Sequence, residues 1–200
     1  MTTPTDNWGR LPHPAQNRQP VRAHKTLHLD DDLTPNASCL PHGMGRSYGD
    51  SALNPDGNLL QMTPRNHIMA FDKDSGVLRA RSGLTLDALL RVTVPAGWFI
   101  PVSPGTKFVT LGGAAANDVH GKNHHKDGSF GAHVLSLSLI RSDRAAMVCS
   151  PARNKKWFAL TLGGLGLTGI IDWVEIQLKP IKSAYLDVEN IPYASLDEFF

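Results

Sequence analysis

Short stretches in which apolar and polar residues alternate recur along this 200-residue chain, and each predicts a strand. Val77–Arg81 sets apolar against basic residues, the pattern of a half-buried strand. Leu135, Leu137 and Leu139 alternate with Ser136 and Ser138, which predicts a strand with one solvated face. Val174, Ile176 and Leu178 alternate with Trp173, Glu175, Gln177 and Lys179 in the same way. The runs 58–62 and 67–71 read as two more strands, bounded by the turns Pro55-Asp56-Gly57 and Asp74-Ser75-Gly76. The strand 145–149 follows a turn at 141–144.

Helical spacing appears elsewhere. Leu86, Leu89, Leu90 and Val94 recur behind a Thr85 cap, and Pro95 ends the run. Trp157, Phe158 and Leu162 place a second helix over 154–162, and the small residues of 109–117 predict a tight helical turn. Ser195 and Glu198 have N-cap and N3 spacing. Because the chain stops as that helix begins to bury its aromatics, the pattern predicts a piece of a longer protein. Residues 1–25, rich in Pro, Asn, Gln and Arg, predict an irregular leader. The whole predicts an α+β fold, with a small leading unit to about Val94 and a more strand-rich unit after it.

Composition narrows the classes. Lys and Arg number 20 against 18 Asp and Glu, a net charge of +2 that lacks the basic excess of a nucleic-acid binder. A hydrophobic share of 41% supports a folded core. Cys39 and Cys149 form neither a disulfide framework nor a C-x-x-C motif, which points to a reducing compartment. Residues 1–8 are polar and carry no apolar signal core, so the expected location is cytoplasmic. The apolar run 158–171 is broken by glycines and falls short of the ~20 residues of a transmembrane helix.

Four segments carry candidate chemistry. In His42-Gly-Met-Gly-Arg-Ser-Tyr-Gly49, the glycines Gly43, Gly45 and Gly49 permit positive φ and close approach, so successive N–H groups can form a nest for phosphate oxygens. Arg46 adds a fixed charge, and Ser47 and Tyr48 add donors. Pro104-Gly-Thr106 and the small residues of 109–117 leave backbone bare for a flat ligand. Residues 117–125 and 128–131 are dense in polar and titratable groups. His120, His124 and His125 lie among them but lack the further ligands of a zinc site, so no metal is expected. Taken singly, an ordinary glycine turn, tight helix packing or a solvated loop would account for each of these three. Gly164-Leu-Gly-Leu-Thr-Gly169 matches the dinucleotide pattern, with Asp187 and Glu189 near the expected offset. It follows a helical segment and opens a strand, however, the reverse of what that motif requires, so it reads as a glycine crossing packed against a ligand.

The order of these segments is more specific than any one of them. GMGRSYGD, then PGT with VTLGGAAANDVHGKNHH and GSFG, then GGLGLTGII, resembles the PCMH-type FAD-binding domain of the vanillyl-alcohol-oxidase family, and within it the decaprenylphosphoryl-β-D-ribose 2-oxidase branch. The likeness runs from about Trp8-Gly9-Arg10 to Pro180. It implies two α+β subdomains, 26–95 and 96–182, with FAD between them, 183–200 opening a C-terminal region, and the C-terminal substrate domain absent from the chain. It implies FAD contacts from Pro41, His42, Gly43, Met44, Gly45, Arg46, Ser47, Tyr48, Gly49 and Asp50. Further contacts are implied from Gly105, Thr110, Leu111, Gly112, Gly113, Asn117, Asp118, Val119 and His120, and on the adenosine side from Gly169 and Ile171. Tyr48, His120 and Lys122 match positions near the flavin ring and substrate, and are the candidate catalytic residues.

In that family a hydride passes from a sugar hydroxyl carbon to the flavin, and a partner reductase completes the epimerisation. The resemblance therefore implies a sugar or polyol substrate, lipid-linked substrates included, a partner reductase and peripheral membrane association. An aldonolactone or alditol oxidase, or a catalytically silent FAD-binding fragment, are the competing expectations. Relatives that attach FAD covalently carry a His where Arg46 stands, so non-covalent FAD is expected. The stretch 21–40 is short for the usual leading strand and helix, which predicts an incomplete first βαβ unit.

Overall fold

A computed structural model describes residues 17–19, 38–54 and 58–200. The expected leader, the shortened 21–40 stretch and the Pro55-Asp56-Gly57 turn lie wholly or mainly outside the described residues. Three strands, β1 Asn17–Gln19, β2 Cys39–His42 and β3 Asn58–Gln61, form a parallel sheet in the order β1-β3-β2. A second sheet opens with β4 Ile68–Phe71 and β5 Val77–Arg81. After the short β6 Trp98–Phe99, it is completed by β7 Val134–Arg141, β8 Arg144–Cys149 and β9 Ile170–Gln177. This sheet is antiparallel in the order β4-β5-β9-β7-β8, and β10 Lys179–Pro180 pairs back on β6.

The core lies under one face of the larger sheet. Leu78, Ala80, Leu137, Leu139, Val174 and Ile176 are solvent-free and share one cluster with Leu86 and Leu89 of helix α1 Leu86–Thr93. Leu111, Ala114 and Ala115 of helix α2 Leu111–Ala116 complete that cluster from beside the cleft described below. The α1 start is the expected one: the Thr85 hydroxyl accepts from the Ala88 N–H at 3.2 Å. Thr85→Ala removes that acceptor and is expected to cost about 1 kcal/mol in chemical denaturation. An unchanged midpoint would show that the cap contributes nothing.

Two expectations are corrected. Ser136 and Ser138 are buried, so β7 has no solvated serine face, and Leu135 is the exposed residue. The register of β7 on β9 shifts on both sides of the Ser136–Ser138 segment, and long polar side chains cover it. Ser136 Oγ donates to Glu175, Glu175 pairs with Arg79 at 2.6 Å, and the Arg79 guanidinium lies 4.5 Å from the Trp173 ring centre. The sheets also do not divide near Val94: β4 and β5 precede that point yet belong to the sheet of β9, so the change of sheet falls at 62–67. Asp172 of β9 crosses this joint, pairing with Arg65 from the 62–67 connection and with Arg81 of β5.

The glycine crossing 163–169 joins helix α4 Lys155–Thr161 to β9, downstream of the single-turn helix α3 His124–Asp127, and opens no helix. Asp187 and Glu189 are exposed in a stretch without regular structure. The last turn, α5 Leu196–Phe199, is capped by Ser195, which accepts from Glu198 N–H at 3.2 Å. Among the described residues no helix is long and apolar enough to cross a membrane.

Candidate functional site

A cleft of about 930 Å³ is walled by the end of β2 and its following loop, Ser82 after β5, residues 103–106, α2 with its flanks, and the 165–171 crossing. Its volume is at the upper end of the roughly 300–1,000 Å³ usual for ligand sites.

The glycine loop forms one wall. It begins where β2 ends, with the His42 carbonyl accepting from Met62 N–H at 2.8 Å. A Cβ on Gly43 would stand 2.4 Å from Thr110 Oγ1, so glycine there lets the loop press against the start of α2. Gly45 holds φ at +61°, the left-handed region that turns the chain back on itself. The N–H groups of Met44, Gly45 and Ser47 meet no acceptor among the described residues. Ser47 Oγ approaches Asn117 Oδ1 at 3.5 Å, which ties the loop to the far end of α2.

The start of α2 behaves differently. Leu111 N–H donates to Leu84 O, Gly112 N–H to Ser82 O and Gly113 N–H to Thr110 Oγ1. Its first-turn donors are therefore committed to the protein, whereas the loop donors that meet no acceptor among the described residues belong to residues of the cleft wall. Gly105, on the opposite rim, has nothing within 4 Å of its Cβ position.

Among the described residues no Asp or Glu lines the cleft, whereas Arg46, Lys122, His42, His120 and His124 do. That distribution favours an anionic ligand. Two polar side chains on the wall are buried, the His42 imidazole and the Ser82 hydroxyl, and the hydroxyl has no hydrogen-bond partner among the described residues. Burial pushes the His42 pKa below its ordinary value, against a weaker upward influence from the Gly43 backbone, so the ring is neutral at pH 7.

The expected site residues separate into groups. Pro41, His42, Gly43, Met44, Gly45, Arg46, Ser47, Tyr48, Gly105, Thr110, Gly112, Gly113, Asn117, Val119, His120, Lys122, Gly169 and Ile171 all line the one cleft. Gly49 and Asp50 are exposed beyond its edge, and Asp50 O accepts from Leu53 N–H. Leu111 points into the core with no exposure. Asp118 serves the fold: its carboxylate accepts from Ser129 Oγ at 2.9 Å and Gly131 N–H at 2.7 Å, which pins the 129–131 turn.

Tyr48 stands on the rim, 86% exposed. His120 and Lys122 are exposed on another part of it, with His120 edge-on to His124 at 5.5 Å. Among the described residues no group of three His, Cys, Asp or Glu is placed to hold a metal ion. Sequence reasoning missed Ser51, Ala52, Met62, Ser82, Ser103, Leu165 and Gly166 on the wall as site residues. Only the glycine crossing signalled the last two; Met62 and Ser82 look like ordinary strand-end residues, and the rest like ordinary turn or loop residues.

A mixed α+β chain that wraps a glycine loop and a small-residue helix around an acid-free cleft of this size defines a domain for a large anionic cofactor. The chain belongs to the FAD binding domain family, whose model matches residues 34–150, and so to the FAD-binding flavoprotein oxidoreductases. It is 41% identical over 160 residues to decaprenylphosphoryl-beta-D-ribose oxidase of Mycolicibacterium smegmatis, covering 80% of this chain and 35% of that protein. It is 26% identical over 147 residues to D-lactate dehydrogenase of Anaerostipes hadrus, 71% of this chain and 31% of that protein. It is 27% identical over 138 residues to L-gulonolactone oxidase of Mus musculus, 69% of this chain and 31% of that protein. The chain thus spans about a third of the length of these relatives. The residues present fit FAD: unpaired loop donors, cationic lining and bare backbone at Gly105 occur together in one cleft.

Proposed function

We propose that this chain is the flavin-holding part of an oxidoreductase that takes a hydride from the carbinol carbon of a sugar or polyol, with FAD bound non-covalently. The observation that carries this reading is one cleft, with no acidic side chain among its described lining, whose wall includes both the glycine loop and the small-residue helix. FAD, when bound, supplies the hydride acceptor. The N–H groups of Met44, Gly45 and Ser47 hold the diphosphate, and Arg46 offsets its charge. Gly105 and the α2 glycines leave room for a flat ring system. Tyr48, His120 and Lys122, on the open rim, are the groups that meet substrate.

The names of the relatives support a hydroxylated substrate, since a decaprenylphosphoryl ribose, a lactate and a gulonolactone all carry CH–OH groups. The higher identity to the first favours a sugar, lipid-linked sugars included, with a partner reductase acting on the keto product. An aldonolactone substrate is the second reading, supported by the likeness to L-gulonolactone oxidase.

Arg46 decides the cofactor's mode of attachment, because a guanidinium does not form the bond that a histidine makes to flavin. Acid precipitation of the purified protein is expected to leave all flavin in the supernatant, identified there as FAD by chromatography. Flavin retained in the washed precipitate would overturn the non-covalent assignment, and a colourless protein that takes up no added FAD would overturn the function.

A further inference from the structure

We propose that Asn123 is a positioning residue: its side-chain amide clasps together the two loop stretches that form one lip of the cleft, 103–106 and 119–124, and so keeps that lip in the shape that receives FAD. The proposal rests on the assignment of the cleft as the FAD site.

Both stretches line the cleft, and within 119–124 only Asn123 stays off its wall. The stretch 103–106 has little of its own to hold it, since none of its backbone groups makes a backbone hydrogen bond among the described residues. Its far end is fixed by the start of α1: Asp87 N–H donates to Lys107 O at 2.9 Å and Leu86 N–H to Val109 O at 3.0 Å. The near end falls to Asn123, whose Nδ2 donates to Pro101 O at 2.9 Å and to the Asp127 carboxylate at 2.5 Å. Both amide hydrogens are thereby used. Asp127 is itself anchored, with Lys179 Nζ 3.8 Å from its carboxylate and His133 Nε2 donating to its carbonyl at 2.8 Å.

Among the described residues the Asn123–Pro101 bond is the one hydrogen bond that joins 101–106 to 119–124. Gly121 sets how closely the stretches lie. It is buried, and a Cβ there would stand 2.6 Å from Ser103 O. The bare backbone at 121 permits the approach, and the amide at 123 fastens it. Gly105 on one stretch and His120 and Lys122 on the other thus keep a fixed spacing although Asn123 touches none of the space they enclose.

A ligand that needs the lip closed binds in proportion to the fraction of molecules in which it is closed. Without the clasp, 103–106 is tethered at its far end alone and that fraction drops. FAD must then order the lip as it binds, and affinity is lost with no contact to the ligand removed.

The experiment compares wild type, Asn123→Ala, Asn123→Leu and Gly121→Ala by FAD titration, thermal melting and backbone NMR relaxation, the last on flavin-free and FAD-saturated protein. Asn123→Leu keeps the volume and removes both donors, whereas Gly121→Ala keeps the amide and wedges the stretches apart. In flavin-free wild type the Gly105 and Thr106 amides are expected to have order parameters near about 0.85, and in all three variants below about 0.6. The Kd for FAD is expected to rise about tenfold, the effect of a closed fraction near one-tenth. Saturating FAD is expected to restore the order of the lip in each variant. Tm is expected to fall by no more than about 4 °C, because the bonds lost are local. Asn123→Gln, which keeps the amide, is expected to recover part of both the order and the affinity.

Order parameters like those of wild type in both the Ala and Leu variants at 123, or Kd values within twofold, would overturn the proposal. Low order at Gly105 and Thr106 in flavin-free wild type would also overturn it, because no preformed lip would then exist to be held. So would a Tm lowered by about 10 °C with order lost across both sheets, which marks Asn123 as a residue of the fold at large. Failure of wild type to bind FAD would overturn the assignment of the cleft instead, and the flavin-free order parameters would still decide whether Asn123 clasps the lip.

Discussion

Gly45→Val is expected to raise the Kd for FAD by at least about a hundredfold while leaving a folded protein. Gly45 sits at φ +61° in the loop that opens onto the cleft. Valine is among the residues least able to adopt that conformation, and holding it there costs on the order of 1–3 kcal/mol. The chain can escape the strain by rotating the 44–45 and 45–46 peptides, but rotation turns the N–H groups of Met44 and Gly45 away from the cleft. Strain and ligand binding therefore compete for the same dihedral, and the loss appears mainly as affinity. Gly49→Val is the matched control, since Gly49 has φ +63° and lies outside the cleft wall. Its backbone strain is similar, and its affinity loss is expected to be much smaller. Equal losses at 45 and 49 would show that general loop strain, not the geometry at Gly45, governs binding. An unchanged Kd for Gly45→Val would remove the loop from the diphosphate site.

The elements that local pattern defines were legible in the sequence. Val77–Arg81 alternates and is alternately buried, Thr85 caps α1, and Ser195 caps the last turn. Each depends on side chains within a few residues, so the chain states it locally. What depended on pairing across the fold was not legible. Ser136 and Ser138 carry the pattern of a wet face, but β-strand register and the Arg79–Glu175 pair determine that they are covered. The expected boundary near Val94 followed a local stop signal at Pro95, whereas β4 and β5 join a sheet completed about ninety residues later.

The candidate site divides along the same line. The loop from His42 and the α2 glycines announce themselves through residue types that few other roles require. Leu111 and Asp118 sit in the same motif, yet one faces the core and the other braces a turn, because a helical turn sends neighbours in different directions. Ser82 reaches the wall only through tertiary placement beside Gly112, and no sequence signal marks it.

Asp172→Ala is expected to be the most destabilising single substitution at the joint between the sheets. The Asp172 carboxylate pairs with both Arg65 and Arg81, and the side chains are 14%, 10% and 22% exposed in that order. One carboxylate thus offsets two largely desolvated guanidinium groups. Removing it withdraws the counter-charge that the two guanidinium groups share, at a site that solvent screens poorly. Breaking a buried pair in this way costs about 3–5 kcal/mol, where an exposed pair would cost under about 1 kcal/mol. For a chain of this length that corresponds to a fall in Tm on the order of 10 °C. Arg65 belongs to the 62–67 connection and Arg81 immediately precedes Ser82, so the same substitution loosens the placement of the β5 end against the first sheet. FAD affinity is expected to fall with stability, and saturating FAD to recover part of the lost Tm, because a ligand that binds only the folded chain stabilises it. Asp172→Asn separates charge from shape: it keeps a polar group of the same size but no negative charge, and is expected to recover only a minor part of the loss. A Tm within about 2 °C of wild type for Asp172→Ala would show that solvent reaches the pair freely and that other contacts set the joint.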